Sequence, residues 1–164
     1  MICDDIADFR AALPPMQAIA GLDLGEKTIG VAVSDTFLSV ATPLETVRRK
    51  KFTLDADRLL QIIAARRLGG LILGLPRNMD GSEGPRCQSA RAFATNFEAV
   101  FDIDIAFWDE RLSTVAVTRT MLEADLSRAR QKEVVDKMAA SYILQGALDY
   151  LANQRANLSD DPAS

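Results

Sequence analysis

Three acidic residues of this 164-residue chain stand in apolar surroundings: Asp23 in AIAGLDLGEKTIGVAVSD, Glu110 after IDIAFWD, and Asp136 in EVVDKMAASYILQGALDYL. A carboxylate at the end of a buried strand needs a partner, a metal or a proton, because an unsatisfied charge in low dielectric costs several kcal/mol. Two carboxylates about 5 Å apart at an effective dielectric near 20 repel by roughly 3 kcal/mol, so three that converge stay ionised only beside cations. A pair of Mg²⁺ ions about 4 Å apart would answer that need, activate a water and stabilise the leaving oxygen of a phosphodiester. In such a site Asp23 bridges the ions while Glu110 and Asp136 each complete one coordination sphere. Asp136 also suits a plainer role, an acid in the first turn of a helix, favoured there by about 0.3 to 1 kcal/mol. Asp35 and Asp109 compete as ligands, but both suit turn or helix caps better.

The chain contains no histidine. That removes the Ser/His/Asp and Cys/His arrangements, the helical zincin motif and the usual general base together. Hydrolytic chemistry is left to carboxylates, lysines or metal-activated water, and oxygen-only ligands favour Mg²⁺ or Mn²⁺ over zinc. The two cysteines, Cys3 and Cys87, have no paired spacing, and Cys3 falls in an expected N-terminal arm. They support neither a disulfide framework nor a zinc site.

The net charge of −4 looks unfavourable for a nucleic-acid protein, yet it is unevenly placed: residues 1 to 15 carry −2 and residues 155 to 164 carry −1. If cations neutralise the three acids, the remaining body is mildly basic, with clusters at Arg48 to Lys51, at Arg66 and Arg67, and at Arg128, Arg130 and Lys132. Such a surface permits phosphate binding without demanding it, and each cluster alone is as readily a solvated face. Lys27, Arg77, Arg111 and Lys132 are the candidate substrate-binding cations. GLPRNMDGSEG, following a buried strand, could offer backbone amides and Arg77 to a phosphate, or form a plain turn bent at Asp80 and Gly81. Trp108 suits the core better than a base-stacking platform. With acids where a signal peptide carries positive charge, and no apolar run near the roughly 18 to 20 residues of a membrane span, the chain is expected in the cytoplasm.

Positioning these residues requires an α/β fold. Residues 17–24 and 28–34 are apolar and β-branched around a turn at Gly25, Glu26 and Lys27, which predicts a hairpin. A third strand is expected from Leu38 to Val47, bent or at an edge near Pro43. Helical spacing in LDADRLLQIIAARRLGG predicts a helix ended by Gly69 and Gly70, and the all-apolar GLILGL a strand buried on both faces. A helix through Ala90, Phe93, Ala94 and Phe97, a strand IDIAFWDE and a helix capped by Ser113 and running to about Ala124 follow. LSRARQK is expected to be a mobile connection, and residues 133–153 a long final helix. The order implies a mixed five-stranded sheet, an antiparallel meander followed by parallel strands, flanked by helices. Residues 1–15 are expected to form an arm, 16–154 one domain, and 155–164 a disordered tail.

Four segments in sequence, GLDLGEKTIGVAVSD, GLPRNMDGSEG, DERLSTVAV and VVDKMAASYILQGALDYL, resemble the YqgF family of ribonuclease H-fold proteins, also described as Holliday junction resolvase-like and as nucleases of the small ribosomal RNA precursor. The resemblance spans nearly all of residues 17–152. It implies a ribonuclease H-like sheet and catalytic acids at Asp23, Glu110 and Asp136. It further implies a metal-dependent cytoplasmic endonuclease maturing the 5′ end of pre-16S rRNA, with branched DNA as the alternative substrate. Ser113 stands where the family more often has threonine, which keeps the capping hydroxyl. Two other readings compete. An actin or sugar-kinase type ATPase also opens on strand, Asp, Gly turn and strand, but needs a second copy of that hairpin, and none is present. A non-catalytic module binding RNA, DNA or a transcription complex would not require all three acids. Oligomeric state, monomer or homodimer, stays open.

Overall fold

A computed structural model describes the backbone of residues 1–112 and 128–159, with the side chains of the final helix described for residues 137–154. The elements are β1 (Ile2–Cys3), α1 (Ile6–Ala12), β2 (Ile19–Leu24), β3 (Thr28–Ser34), β4 (Ala41–Arg48), α2 (Phe52–Arg66), β5 (Gly70–Leu75), α3 (Pro85–Val100), β6 (Asp104–Asp109), a 3₁₀ turn (Glu110–Leu112) and α4 (Arg128–Ser159). One mixed sheet has the order β1-β6-β5-β2-β3-β4. β2, β3 and β4 form the antiparallel meander, and β5, β6 and β1 continue it in parallel.

Every residue of β2, β3 and β5 is buried, as strands covered on both faces and apolar apart from Asp23, Thr28 and Ser34 should be. One face packs under α2 and α3, with Leu22, Leu71, Leu73, Leu59, Phe93 and Phe97 at its centre. The other carries Ile19, Ile72, Ala106 and Trp108 beneath α1 and α4, which contribute Phe9, Ala140, Ile143, Leu144 and Leu148. The small residues of α4 bring it close to the sheet. A Cβ on Gly21 of β2 would lie 2.7 Å from Leu144 Cβ and 3.0 Å from the Ala140 carbonyl oxygen.

Several expectations are corrected. Among the described residues the sheet has six strands, not five, because residues 1–15 are no loose arm. β1 pairs with β6, Asp5 caps α1 by accepting from the Ala7 amide at 2.8 Å, and Ile6 and Phe9 turn inward. Arg67, in the left-handed region at φ 52°, ends α2 rather than the glycine pair; Gly70 is already in β5, where Phe9 occupies the space of its missing Cβ. The third strand begins only at Ala41. Pro43 does sit on an edge strand, beside a register shift opposite Val31 and Ala32. Residues 128–132, expected to be mobile, are the first turns of α4: arginine, alanine, glutamine and lysine are good helix formers, and no glycine or proline interrupts them. The helix also runs to Ser159, into the segment expected to be disordered. The helix expected from Ser113 to Ala124 lies outside the described residues. Among the described residues no helix is long and apolar enough to cross a membrane.

The late start of β4 has a local cause. Asp35 closes the turn after β3, accepting from the amides of Ser39 and Val40 at 2.8 and 2.9 Å and from the Ser39 hydroxyl at 2.7 Å. The Val40 amide bond is the main reason its carboxyl is held down at about 2, and the two Ser39 bonds add to it. A depressed carboxylate stabilises the fold above its unfolded value near 3.8 and loses that contribution as pH falls through about 2. Asp35→Ala is therefore expected to cost about 1 kcal/mol at pH 7, the usual worth of such a cap. Urea denaturation should show the difference from wild type shrinking between about pH 4 and pH 2; a constant difference would contradict it.

Candidate active site

Asp23 lies within β2 and is 4% exposed. Its antiparallel partner on β3 is Gly30. On the other side β2 pairs with β5 through Leu22 and Leu73, and extending that register by one residue sets Gly74 beside Asp23. The carboxylate thus stands between two strand positions that carry no side chain, on the face covered by α4.

Glu110 enters this space from the far side of β5. β6 runs parallel to β5 with Gly74 opposite Trp108 and Leu75 opposite Asp109, so the 3₁₀ turn beginning at Glu110 starts where the strands end. A Cβ on Gly74 would lie 2.5 Å from Glu110 Oε1 and 2.6 Å from Ile143 Cδ1. The Glu110 carboxylate therefore lies over Gly74, the position next to Asp23. Two of the three expected acids share one face at the strand ends.

The third, Asp136, is in α4. It precedes Ala140 by four residues and Ile143 by seven, and these two cover Gly21 and Gly74. Farther along, Gln145 accepts from the Ala41 amide at the opposite end of the β3–β4 pair. The helix therefore approaches the Asp23 end of the sheet with its N-terminal turns, and the Asp136 backbone lies in them. Its side chain, like that of Lys132, is outside the described residues. Among the described residues no group of three His, Cys, Asp or Glu side chains could hold a metal. The fit of a divalent cation rests on two carboxylates brought to one face at the strand ends, a hard oxygen donor set suited to Mg²⁺ or Mn²⁺.

The other candidates divide. Lys27 is exposed in the hairpin turn, at the same end of the sheet as Asp23. Arg77 and Arg111 are engaged by acids. Arg77 pairs with Glu83 at 3.2 Å and Asp109 at 3.8 Å, while Arg111 grips Asp109 through Nη2 at 2.6 Å and Nε at 3.0 Å. The Arg111 guanidinium, with smaller help from Arg77, keeps the Asp109 carboxyl below its usual range despite partial burial. Glu83 is lowered chiefly by Arg91, which binds both its oxygens at 2.6 and 2.7 Å. This chain of ion pairs fixes the loop after β5 to the end of β6.

The same loop uses its own amides. Arg77 donates to Leu75, Asn78 to Ser82 and Gly81 to Asn78, each at 2.9 Å, and the Ser82 amide bonds Asp80. Gly81 has φ 88°, so the bend falls where a plain turn puts it. These four amides are not offered to a phosphate. Asp35 and Asp109 serve the turn roles expected of them, and Trp108 is buried in the core. What the sequence reading missed are Gly30, the strand partner of Asp23, and Gly74, whose missing side chain lets the Glu110 carboxylate lie over the strand. Their signal was present as glycines inside otherwise apolar strands, which mark close approach of another group.

A mixed sheet with an antiparallel meander, parallel continuation, an acid on the first hairpin strand and a final helix across that face defines the ribonuclease H-like class. The fold matches that of Thermus thermophilus RuvC, solved in complex with a Holliday junction substrate, with a TM-score of 0.52 at 14% identity over 83% of this chain and 96% of that one. Residues 17–150 match the family described as RuvX: Holliday junction resolvase, and the chain belongs to that family. Relatives named as pre-16S rRNA nucleases include one from Roseobacter denitrificans, 70% identical over 95% of this chain and 97% of its own length. Another, from Ruegeria sp. strain TM1040, is 68% identical over 96% of this chain and all of its own. The protein is accordingly a nuclease, a hydrolase of phosphodiester bonds in nucleic acid.

Proposed function

We propose that the protein is a metal-dependent endonuclease of structured nucleic acid, cutting the 5′ region of the small ribosomal RNA precursor, with Asp23, Glu110 and Asp136 as its acidic centre. The observation carrying this is the convergence of a 4%-exposed Asp23 and the Glu110 carboxylate around Gly74, on the face crossed by α4. The names of the relatives from Roseobacter and Ruegeria support the substrate.

In this reading Asp23, Glu110 and Asp136 hold Mg²⁺ or Mn²⁺, and a pair of ions suits three shared carboxylates. Bound there, the cations supply charge neutralisation and Lewis acidity toward the scissile phosphate. The chain does the rest. Gly74 lets the Glu110 carboxylate lie over the strand beside Asp23, α4 covers that face, and Lys27 at the hairpin turn gives the nucleic-acid backbone a cation. The Arg77–Asp109–Arg111 group sets the loop at the cleft wall, holding register rather than reading sequence.

The family description favours branched DNA as a second substrate. Both are tested by incubating the protein with a structured pre-16S RNA fragment and with a four-way DNA junction, in Mg²⁺, in Mn²⁺ and with chelator. Metal-dependent cutting of the RNA at a defined 5′ position is expected; cutting confined to the junction would transfer the assignment to DNA. No metal-dependent cutting of either would end it. Mass measurement alongside separates a monomer that trims RNA from a homodimer that makes paired cuts.

A further inference from the structure

The arginines near the ends of β5 and β6 are engaged: Arg77, Arg91 and Arg111 pair with Glu83, Asp4 and Asp109. The other side of the strand ends differs. Lys27 in the hairpin turn, Arg48 at the end of β4, and Lys50 and Lys51 in the link to α2 are all exposed. Among the described residues, no carboxylate forms an ion pair with Lys27, Lys50 or Lys51. This corner is braced from within. The Arg49 amide donates to the Lys27 carbonyl at 2.8 Å and Arg49 Nη1 to the Gly25 carbonyl at 2.7 Å, with the guanidinium 6.0 Å from the Phe93 ring centroid. Asp55, 3% exposed, accepts from the Lys50 amide at 3.0 Å. Arg49 and Asp55 thus hold the link to the turn, and the exposed acids Glu26 and Asp57 leave the corner net positive.

Strand register ties the corner to the acidic centre. Asp23 is opposite Gly30, and Gly30 is opposite Thr46. Val47 packs under α2 and α3, so by alternation Thr46 and Arg48 stand on the other face, that of Asp23. Arg48 lies two strands across and two residues on from Asp23, about 12 Å by strand spacing and rise. That is a few phosphates along a nucleic-acid strand. Lys27 and Lys50 flank the bond between turn and link, and Lys51 opens α2. A row of cations leading away from the acids suits evenly spaced phosphates. Lysine offers each a point charge without regard to the base.

We propose that the substrate backbone leaves the acidic centre across this corner, with Arg48, Lys27, Lys50 and Lys51 on successive phosphates. The inference rests on the nuclease reading above and deepens it by giving the bound strand a direction, over β3 and β4 and away from the loop after β5. The corner supplies affinity and register rather than sequence preference.

The test titrates the protein, with chelator, into an end-labelled structured pre-16S RNA fragment and reads anisotropy from about 50 to about 200 mM KCl. Lys50→Gln/Lys51→Gln should weaken binding about tenfold at the lowest salt. It should also reduce the slope of log affinity against log salt by about 1.5, because each phosphate contact contributes about 0.7 to 0.9. The Lys51 side chain makes no cap bond to α2, so its exchange for glutamine spares the helix. Arg66→Gln/Arg67→Gln removes equal charge from the far end of α2, about 22 Å away, and should leave affinity and slope as in wild type. Lys50→Arg/Lys51→Arg should restore both. A single uncharged methylphosphonate link, moved along the strand, should weaken wild-type binding about fivefold at the contacted positions and leave the glutamine variant unaffected there. Equal losses in the two glutamine variants, or an unchanged slope in Lys50→Gln/Lys51→Gln, would overturn the corner as a phosphate track. Either result leaves the nuclease reading standing on metal-dependent cleavage by the wild type. A wild type that shows these slopes yet cuts neither RNA nor junction strikes the nuclease reading and keeps the corner as a binding surface.

Discussion

Asp23→Asn is expected to lower cleavage about a thousandfold and leave a cooperatively folded protein. The substitution keeps the size of a 4%-exposed side chain between Gly30 and Gly74 and removes one of the carboxylates gathered on that face. An amide oxygen is a far weaker anchor for a hard dication, and a loss of several kcal/mol of transition-state stabilisation corresponds to about a thousandfold in rate. The measurement is initial cleavage rate against Mg²⁺ concentration, with thermal unfolding recorded on the same preparation. Asparagine should also abolish the Mg²⁺-dependent rise in melting temperature that a bound ion confers on the wild type. Full activity in Asp23→Asn would show that the cutting comes from another centre or from a contaminant. A collapsed melting transition would instead mark Asp23 as a structural residue, and rescue of folding by Asp23→Glu would tell which.

How far this site can be read without coordinates depends on which contacts are local. Asp23 declares itself, because an acid inside a run as apolar as IAGLDL has few explanations, and the hairpin around Gly25 follows from two such runs and a turn. GLILGL likewise announces a strand covered on both faces. β1 does not: two residues make a strand only because β6 is there to pair with, and no periodicity exists in so short a piece. α1 hid for a related reason. Its acids suggested a solvated arm, while Ile6 and Phe9, three apart, supply just enough apolar face to dock under Gly70. Residues 128–132 misled in the opposite sense, since charge was taken as mobility although every residue there favours a helix. Gly74 reads from sequence as a strand residue. That it clears room for Glu110 depends on a register that sets Gly74 beside Trp108, far along the chain, and on α4 arriving above both. The engagement of Arg77 by Asp109 is equally non-local, whereas Arg111 grips Asp109 from only two residues away; together these pairs change both arginines from offered cations to fixed wall.

Gly74→Ala should separate the position of Glu110 from its charge. The new methyl carbon would meet Glu110 Oε1 at 2.5 Å and Ile143 Cδ1 at 2.6 Å, closer than side-chain atoms tolerate. Ile143 is fully buried against the sheet and has nowhere to go without shifting α4, so the Glu110 side chain must give most of the way. The expected stability cost is about 1 to 3 kcal/mol, that of overpacking a filled interior. Cleavage should fall about a hundredfold, the usual penalty for a misplacement near 1 Å at a reacting centre. Because the three carboxylates are all retained, raising Mg²⁺ should recover part of the lost rate, which it cannot do for Asp23→Asn. Gly84→Ala is the control: a Cβ there finds nothing nearer than Asn78 Nδ2 at 4.0 Å, and the φ of −87° suits alanine. Its stability should stay within about 0.5 kcal/mol of wild type and its activity unchanged. If Gly74→Ala cuts at the wild-type rate, the Glu110 carboxylate does not act from above Gly74, and the acidic centre must be built around Asp23 with a different partner.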